Sequence, residues 1–174
     1  MRPILRALML LLAMLAPLAC AADLAQERSV KAAFLSKFIG FVELEEASTP
    51  IIIGVMGADD IAAELKRIMA SRPPNLRPVQ VRTLGVDDTL AGVHMLFVGG
   101  DQSDRTEQVL NAAARQGILT VTEVDSGLRL GSMINFRRVD ERVRFEVSLP
   151  AAQRSNVKLS ARLLSVAYHV LKER

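Results

Sequence analysis

The chain has 174 residues, half of them apolar and 24% charged, with one Cys and two His. That length predicts one compact domain with a sizeable core, and that composition excludes intrinsic disorder, a disulfide scaffold and a Cys-based zinc site. The net charge of +3 falls to +1 once the first segment is set aside, because residues 1–21 hold Arg2 and Arg6 and no acid. The basic balance is therefore no argument for nucleic-acid binding.

The first segment reads as an export signal. Arg2 and Arg6 form a positive start, Ala7 to Leu18 is apolar without a charge, and Ala19-Cys20-Ala21 fits the small-x-small cleavage rule. The apolar stretch stops at Ala22, short of the roughly 20 residues a spanning helix needs. Residues 1–21 are thus expected to be a cleaved signal peptide, and 22–174 a single exported α/β domain. Cys20 is also placed like a lipid-acceptor cysteine, but Pro17 stands where such a signal wants Leu, so lipidation is the lesser reading. Cleavage after Ala21 leaves no thiol, and so neither a disulfide nor a thiol switch.

In the mature chain, Val30, Phe34, Phe38 and Val42 recur every four residues and predict an amphipathic helix over 22–42. Its apolar stripe is a core face or, because the helix is N-terminal, a face for a partner. Pro50 to Gly57 is a continuous apolar run, which suits a strand buried on both faces. Asp59 and Asp60 then open a helix to about Met69, their carboxylates set against its positive end. Prolines at 73, 74 and 78 make a loop, and Val79 to Leu84 alternates as a half-buried strand.

His94 to Gly100 reads as a second buried strand, Ser103 to Arg115 as a helix closed by Gly117, and Ile118 to Val121 as a third buried strand. After a loop at Asp125 to Gly131, Met133–Arg138 and Arg142–Ser148 read as a hairpin. Its turn at Val139-Asp140-Glu141 lacks an Asn-Gly signal, which predicts a loop of about three to five residues. Pro150 starts a last helical stretch, Asn156 is placed for a left-handed cap, and a main helix is expected from about Leu159 to Lys172. The alternation predicts a three-layer α/β/α sandwich, mostly parallel, with an antiparallel C-terminal hairpin.

No catalytic machinery is legible, so no catalytic residue, cofactor or metal ligand is assigned. Gly54-Val55-Met56-Gly57 lacks the spacing of a dinucleotide fingerprint, and Asp59 and Asp60 would repel a phosphate there. Gly131-Ser132-Met133 is not a nucleophile elbow. His94 begins an apolar strand and His169 lies in the expected last helix, so both read as packed or edge histidines. Asn135 falls opposite Ile134 and Phe136 on one hairpin arm, with Glu146 on the other. They read either as a structural hydrogen-bonded pair or as the polar wall of a ligand groove. The arginines at 137, 138, 142 and 144 are interleaved with Asp140, Glu141 and Glu146, which suits a solvated hairpin face.

Several stretches taken in order resemble the YfiR family of periplasmic proteins: Val30-Lys31-Ala32-Ala33-Phe34-Leu35, His94-Met95-Leu96-Phe97-Val98-Gly99, Met133-Ile134-Asn135-Phe136, Arg142-Val143-Arg144-Phe145-Glu146-Val147, and Val157-Lys158-Leu159-Ser160. The resemblance implies a small exported α/β domain without enzymatic activity. It implies repression of an inner-membrane diguanylate cyclase (YfiN-like) through contact with that protein's periplasmic sensor region, lowering cyclic di-GMP and biofilm formation. It also implies a homodimer. The family's redox response through disulfides does not carry over to a mature chain without Cys. The family's aromatic Trp-Pro run after Phe41-Val42-Glu43 is replaced here by Leu44-Glu45.

Two expectations follow for the site. The first is a periplasmic regulatory binding protein that contacts its membrane partner through Phe34, Phe38 and Phe41. The alternative is a periplasmic small-molecule-binding sensor domain feeding a membrane receptor or kinase. Its ligand would sit where the parallel strands end, near Gly57, Gly99-Gly100 and Thr122-Glu123, or against Asn135 and Glu146.

Overall fold

A computed structural model describes residues 23–43, 50–100 and 105–172. The expected signal peptide lies outside the described residues, as does the Ser103 start of the third helix. Helix α1 covers residues 23–38 and passes into a 3-10 turn at Ile39–Phe41. The expected helix over 22–42 is therefore shortened at its end. Val42 is already extended and bridges Leu159, and Ser160 N–H donates to the Phe41 carbonyl.

The remaining elements are β1 (Ile51–Met56), α2 (Asp59–Ala70), β2 (Val79–Leu84), β3 (Met95–Val98), α3 (Thr106–Arg115), β4 (Leu119–Thr122), β5 (Ile134–Val139), β6 (Arg142–Ser148), α4 (Leu149–Arg154), α5 (Ala161–Val166) and β7 (His169–Leu171). They build one seven-stranded sheet in the order β2-β1-β3-β4-β5-β6-β7. Among these strands only β5 and β6 pair antiparallel. The α/β fold with a mostly parallel sheet agrees with the sequence reading.

The two faces of the sheet follow from strand alternation. Ile51, Ile53 and Val55 of β1, Met95 and Phe97 of β3, and Leu119 and Val121 of β4 point to one face. There they join Ala32, Leu35 and Phe38 of α1 and Ile61, Ala62 and Leu65 of α2 in a single core with the inner sides of β5 and β6. Met56, Leu96 and Val98 point to the other face and meet Val109 and Ala113 of α3. Beyond β3 this second face turns polar: Thr120, Thr122, Ser132, Asn135, Glu146 and Ser148 are all buried.

Local chemistry sets the element ends. Asp60 Oδ1 accepts from Ile61 N–H at the start of α2, and Ser71 Oγ donates to the Ile68 carbonyl at its end. Ser148 Oγ caps α4, with Pro150 in its first turn. Asn156 has φ 55, the left-handed cap its position suggested.

Two expectations are corrected. The hairpin turn is a two-residue one: Val139 pairs directly with Arg142, and Asp140 and Glu141 both have positive φ, 48 and 58. Such a turn matches the right-handed twist of its strands. The six paired positions of the hairpin hold the register without an Asn-Gly sequence. The long helix expected to Lys172 is also broken. α5 begins on the Ser160 cap and ends at Val166, and Ala167 turns extended at ψ 142. Residues 169–171 then pair parallel with β6, and Tyr168 N–H donates to the Phe145 carbonyl at 2.8 Å. An open β6 edge would leave a row of unpaired backbone groups. Satisfying them outweighs a helical continuation in the stretch Tyr168-His169-Val170-Leu171, whose residues also suit a strand. His169, expected on a helix, is consequently an exposed residue of an edge strand.

Candidate functional site

The most chemically loaded region is where α1 crosses β5 and β6. Phe38 is 1% exposed and its ring packs 5.9 Å from Phe136 and 5.1 Å from Phe145. Phe34, one turn earlier, stacks on Phe38 at 6.0 Å and meets Phe145 edge-on at 5.5 Å. Rings at these distances attract beyond their buried area. Phe34 is only half-buried, and Phe41 is likewise half-buried against the same core. Of the three phenylalanines read as a contact face, Phe38 is thus interior while Phe34 and Phe41 reach the surface.

Beside Phe34 lies a groove of about 530 Å³ with Val30 and Val143 as apolar walls. Its rim is charged: Asp23 and Glu27 on α1, Arg138 on β5 and Arg142 on β6. Arg138 spans two turns of α1, donating to Asp23 at 2.6 Å and to Glu27 at 3.4 Å. The Asp23 hydrogen bond and charge hold the Arg138 guanidinium above its ordinary pKa.

Glu27 also pairs with Lys31, and Lys31 donates to Glu123 after β4 at 2.7 Å. Burial alone would lower the Lys31 pKa, but its hydrogen bonds to Glu123 and Glu27 and their charges raise it overall, so it stays an ammonium. Glu123 further accepts the Gly100 N–H at 3.2 Å. A chain of charges therefore ties Asp23, Arg138, Glu27, Lys31 and Glu123 to the end of β3. The partners lie far apart in sequence (Lys31 and Glu123 are 92 residues apart), so the periodicity of the helix alone gives no sign of it.

On the other side of α1 is a crevice of about 550 Å³ at the carboxyl ends of the strands, between Gly57, Gly100 and Glu123. Strand order reverses between β1 and β3, the position where open α/β sheets bind ligands. The floor is narrow because Gly57 turns the chain at φ 67 and a Cβ on Gly99 would overlap the Gly57 carbonyl. Lys31 stands in the crevice, already neutralised by two carboxylates.

Asn135 and Glu146 face each other across the hairpin. Asn135 Nδ2 donates to Glu146 Oε1 at 3.1 Å, and Thr122 Oγ1 donates to Asn135 Oδ1 at 2.7 Å. Arg137 lies 3.7 Å from Glu146 Oε2 and is half exposed. Asn135 itself is fully buried, and Glu146 is 9% exposed. The loop after β4 closes over the pair through Gly127, where a Cβ would strike both Thr122 Oγ1 and Asn135. His94 lies at the opposite end of the sheet, where its Nδ1 accepts the Ile52 N–H at 3.1 Å.

Residues 28–168 match the YfiR/HmsC-like family across nearly all of these elements. The chain belongs to that family. It is a family of periplasmic regulatory proteins in cyclic di-GMP signalling. Among solved structures, a conserved domain protein from Vibrio cholerae is similar in fold, with a TM-score of 0.58 at 10% identity over 83% of this chain. The match spans 60% of that protein's length. No curated protein matches the sequence. Among the described residues no helix is long and apolar enough to cross a membrane.

Proposed function

We propose that this YfiR/HmsC-like protein is exported by its first 21 residues and represses an inner-membrane diguanylate cyclase by binding that protein's periplasmic sensor region. The observation that carries the reading is the groove beside α1, where the apolar Val30, Phe34 and Val143 are ringed by charges of both signs. An apolar centre with a polar rim is the anatomy of a protein interface. Phe34 and Phe41 are the proposed contact residues, and Phe38 braces Phe34 from inside the core.

Repression of this kind is differential affinity: the partner's inactive state must be bound more tightly than its active one. Moving a partner from mostly active to mostly inactive takes about 5.5 kcal/mol of difference. A surface of roughly 800 Å² on each partner is sufficient for specific binding. The test is Phe34→Glu beside Arg142→Glu, the latter an exposed residue. Both should raise cellular cyclic di-GMP and abolish co-purification with the membrane cyclase, with circular dichroism unchanged for Arg142→Glu. Unaltered cyclic di-GMP in both variants would sink the assignment.

The switch-point crevice favours a second reading, a small-molecule sensor. Any ligand there must compete with Glu27 and Glu123 for Lys31, so ligand-dependent stabilisation that vanishes in Lys31→Met would support it.

A further inference from the structure

The two edges of the sheet are built differently. β2, at one edge, follows Pro78, carries Gln80, Arg82 and Thr83, and shows no exposed large apolar side chain within the strand. These are devices that keep an edge from pairing with another chain. β7, at the other edge, is short but carries no proline, lysine or arginine, and no strand among the described residues pairs with its outer side. Val166, Tyr168 and Leu171 beside or within it are 61%, 59% and 42% exposed.

Backbone alternation decides which groups are free. Tyr168 N–H points inward to Phe145, so Val170 follows it inward and the amides and carbonyls of His169 and Leu171 point out. Among the described residues the C-terminal stretch is basic: Arg162 and Lys172 are exposed, and no acid lies between them. Arg144 adds a further exposed cation on β6. Like charge opposes pairing of this edge with the same edge of a second copy, and opposite charge favours an acidic occupant.

We propose that the outer edge of β7 is a docking site for a short, extended, acidic segment of another polypeptide, added as an eighth strand. The outward groups of His169 and Leu171 supply main-chain hydrogen bonds, Leu171 packs on the apolar side chains of the added strand from one face of the sheet, and Lys172 and Arg162 pair with its acids. This surface is separate from the groove beside Phe34 and stands whether or not that groove contacts a cyclase. With only three residues in β7, the contact is weak and exchanging.

The probe is a short synthetic peptide of alternating valine and glutamate, added to the exported protein purified from periplasm. Titration should saturate, and amide hydrogen exchange should slow at His169 and Leu171. Methylating alternate peptide nitrogens, or exchanging glutamate for lysine, should weaken binding about tenfold or more. Leu171→Pro should do the same, since proline is tolerated where an edge amide points to solvent. Arg162→Glu, an exposed change that leaves the backbone alone, gives a second check and should weaken the glutamate peptide while strengthening the lysine one. Equal binding of both peptides, protection at α1 instead of β7, or sedimentation as a dimer that Leu171→Pro dissociates would overturn the proposal. The last result would give the edge to a second copy of this chain.

Discussion

Replacing Asn135 by alanine should destabilise the protein by about 3 kcal/mol, most of it from one stranded carboxylate. Asn135 spans two partners, accepting from Thr122 at 2.7 Å and donating to Glu146 at 3.1 Å. The neutral bond contributes about 1 kcal/mol and the one to the carboxylate about 1.5–3 kcal/mol. Glu146 would keep only Arg137, 3.7 Å away and half exposed. Because Gly127 closes the loop directly over Asn135, water reaches the vacated space only if that loop lifts. At about 2–4 °C per kcal/mol for a domain of this size, Tm should fall by roughly 6–12 °C. Urea denaturation of Asn135→Ala, Glu146→Gln and the double variant measures the pair directly. The double variant should be less destabilised than the two singles added, by about 1 kcal/mol or more. If Asn135→Ala stays within about 0.5 kcal/mol of the parent, the carboxylate is solvated and the pair is free to serve a ligand instead.

Other substitutions test separate parts of the same account. Phe38→Ala, which empties a fully buried ring site among Phe34, Phe136 and Phe145, should lose about 3–5 kcal/mol in chemical denaturation. Gly127→Ala forces a methyl group onto Thr122 and Asn135 and should lose about 1–3 kcal/mol; a neutral result would mean the loop does not close there. His94 has its pKa lowered from 6.5, first by burial and then by the Arg77 charge. The unfolded chain therefore binds the proton more readily, so the His94 contribution is complete above about 6.5 and is lost as pH falls through the folded value. Melting curves should show an acid-side loss that His94→Asn, whose side-chain oxygen keeps an acceptor for Ile52 N–H, does not show.

Much of the fold was legible because the deciding signals are local. The uninterrupted Ile51-Ile52-Ile53 run is apolar because β1 is covered on both faces, and the Asp59-Asp60 pair sits at the start of α2 because a helix N-terminus favours carboxylates. The C-terminus was misread because its signals conflict. Leu159, Leu163 and Val166 share a helical face, while Tyr168, Val170 and the residues between them also alternate as a strand. What decides between them is the edge of β6, a partner more than 20 residues away along the chain. The hairpin turn was misread for a related reason: cross-strand pairing of Phe136 with Phe145 and of Asn135 with Glu146 sets its length. At the site, the stripe of Val30, Phe34 and Phe38 was visible, but the Lys31–Glu123 and Arg138–Asp23 ties join residues about 100 positions apart and have no local signature.

The sheet changes character along its width, and this bears on where binding occurs. From β1 to β3 both faces are apolar and covered by helices, which leaves no backbone edge and little apolar surface free. From β4 onward one face becomes a row of paired polar positions, Thr122, Asn135, Glu146 and His169, running from the interior to the edge. A buried polar row stabilises less than an apolar one of the same shape, but it specifies register: a one-residue slip of β6 would separate Glu146 from Asn135 and carry Phe145 and Val147 away from the core. The hairpin is thereby fixed in place without a helix over its second face. That frees its rim for contact, with α1 and its groove on one side and the open β7 edge on the other. The proposed contact regulator would use such a fixed border, which this sheet has at the end away from β2.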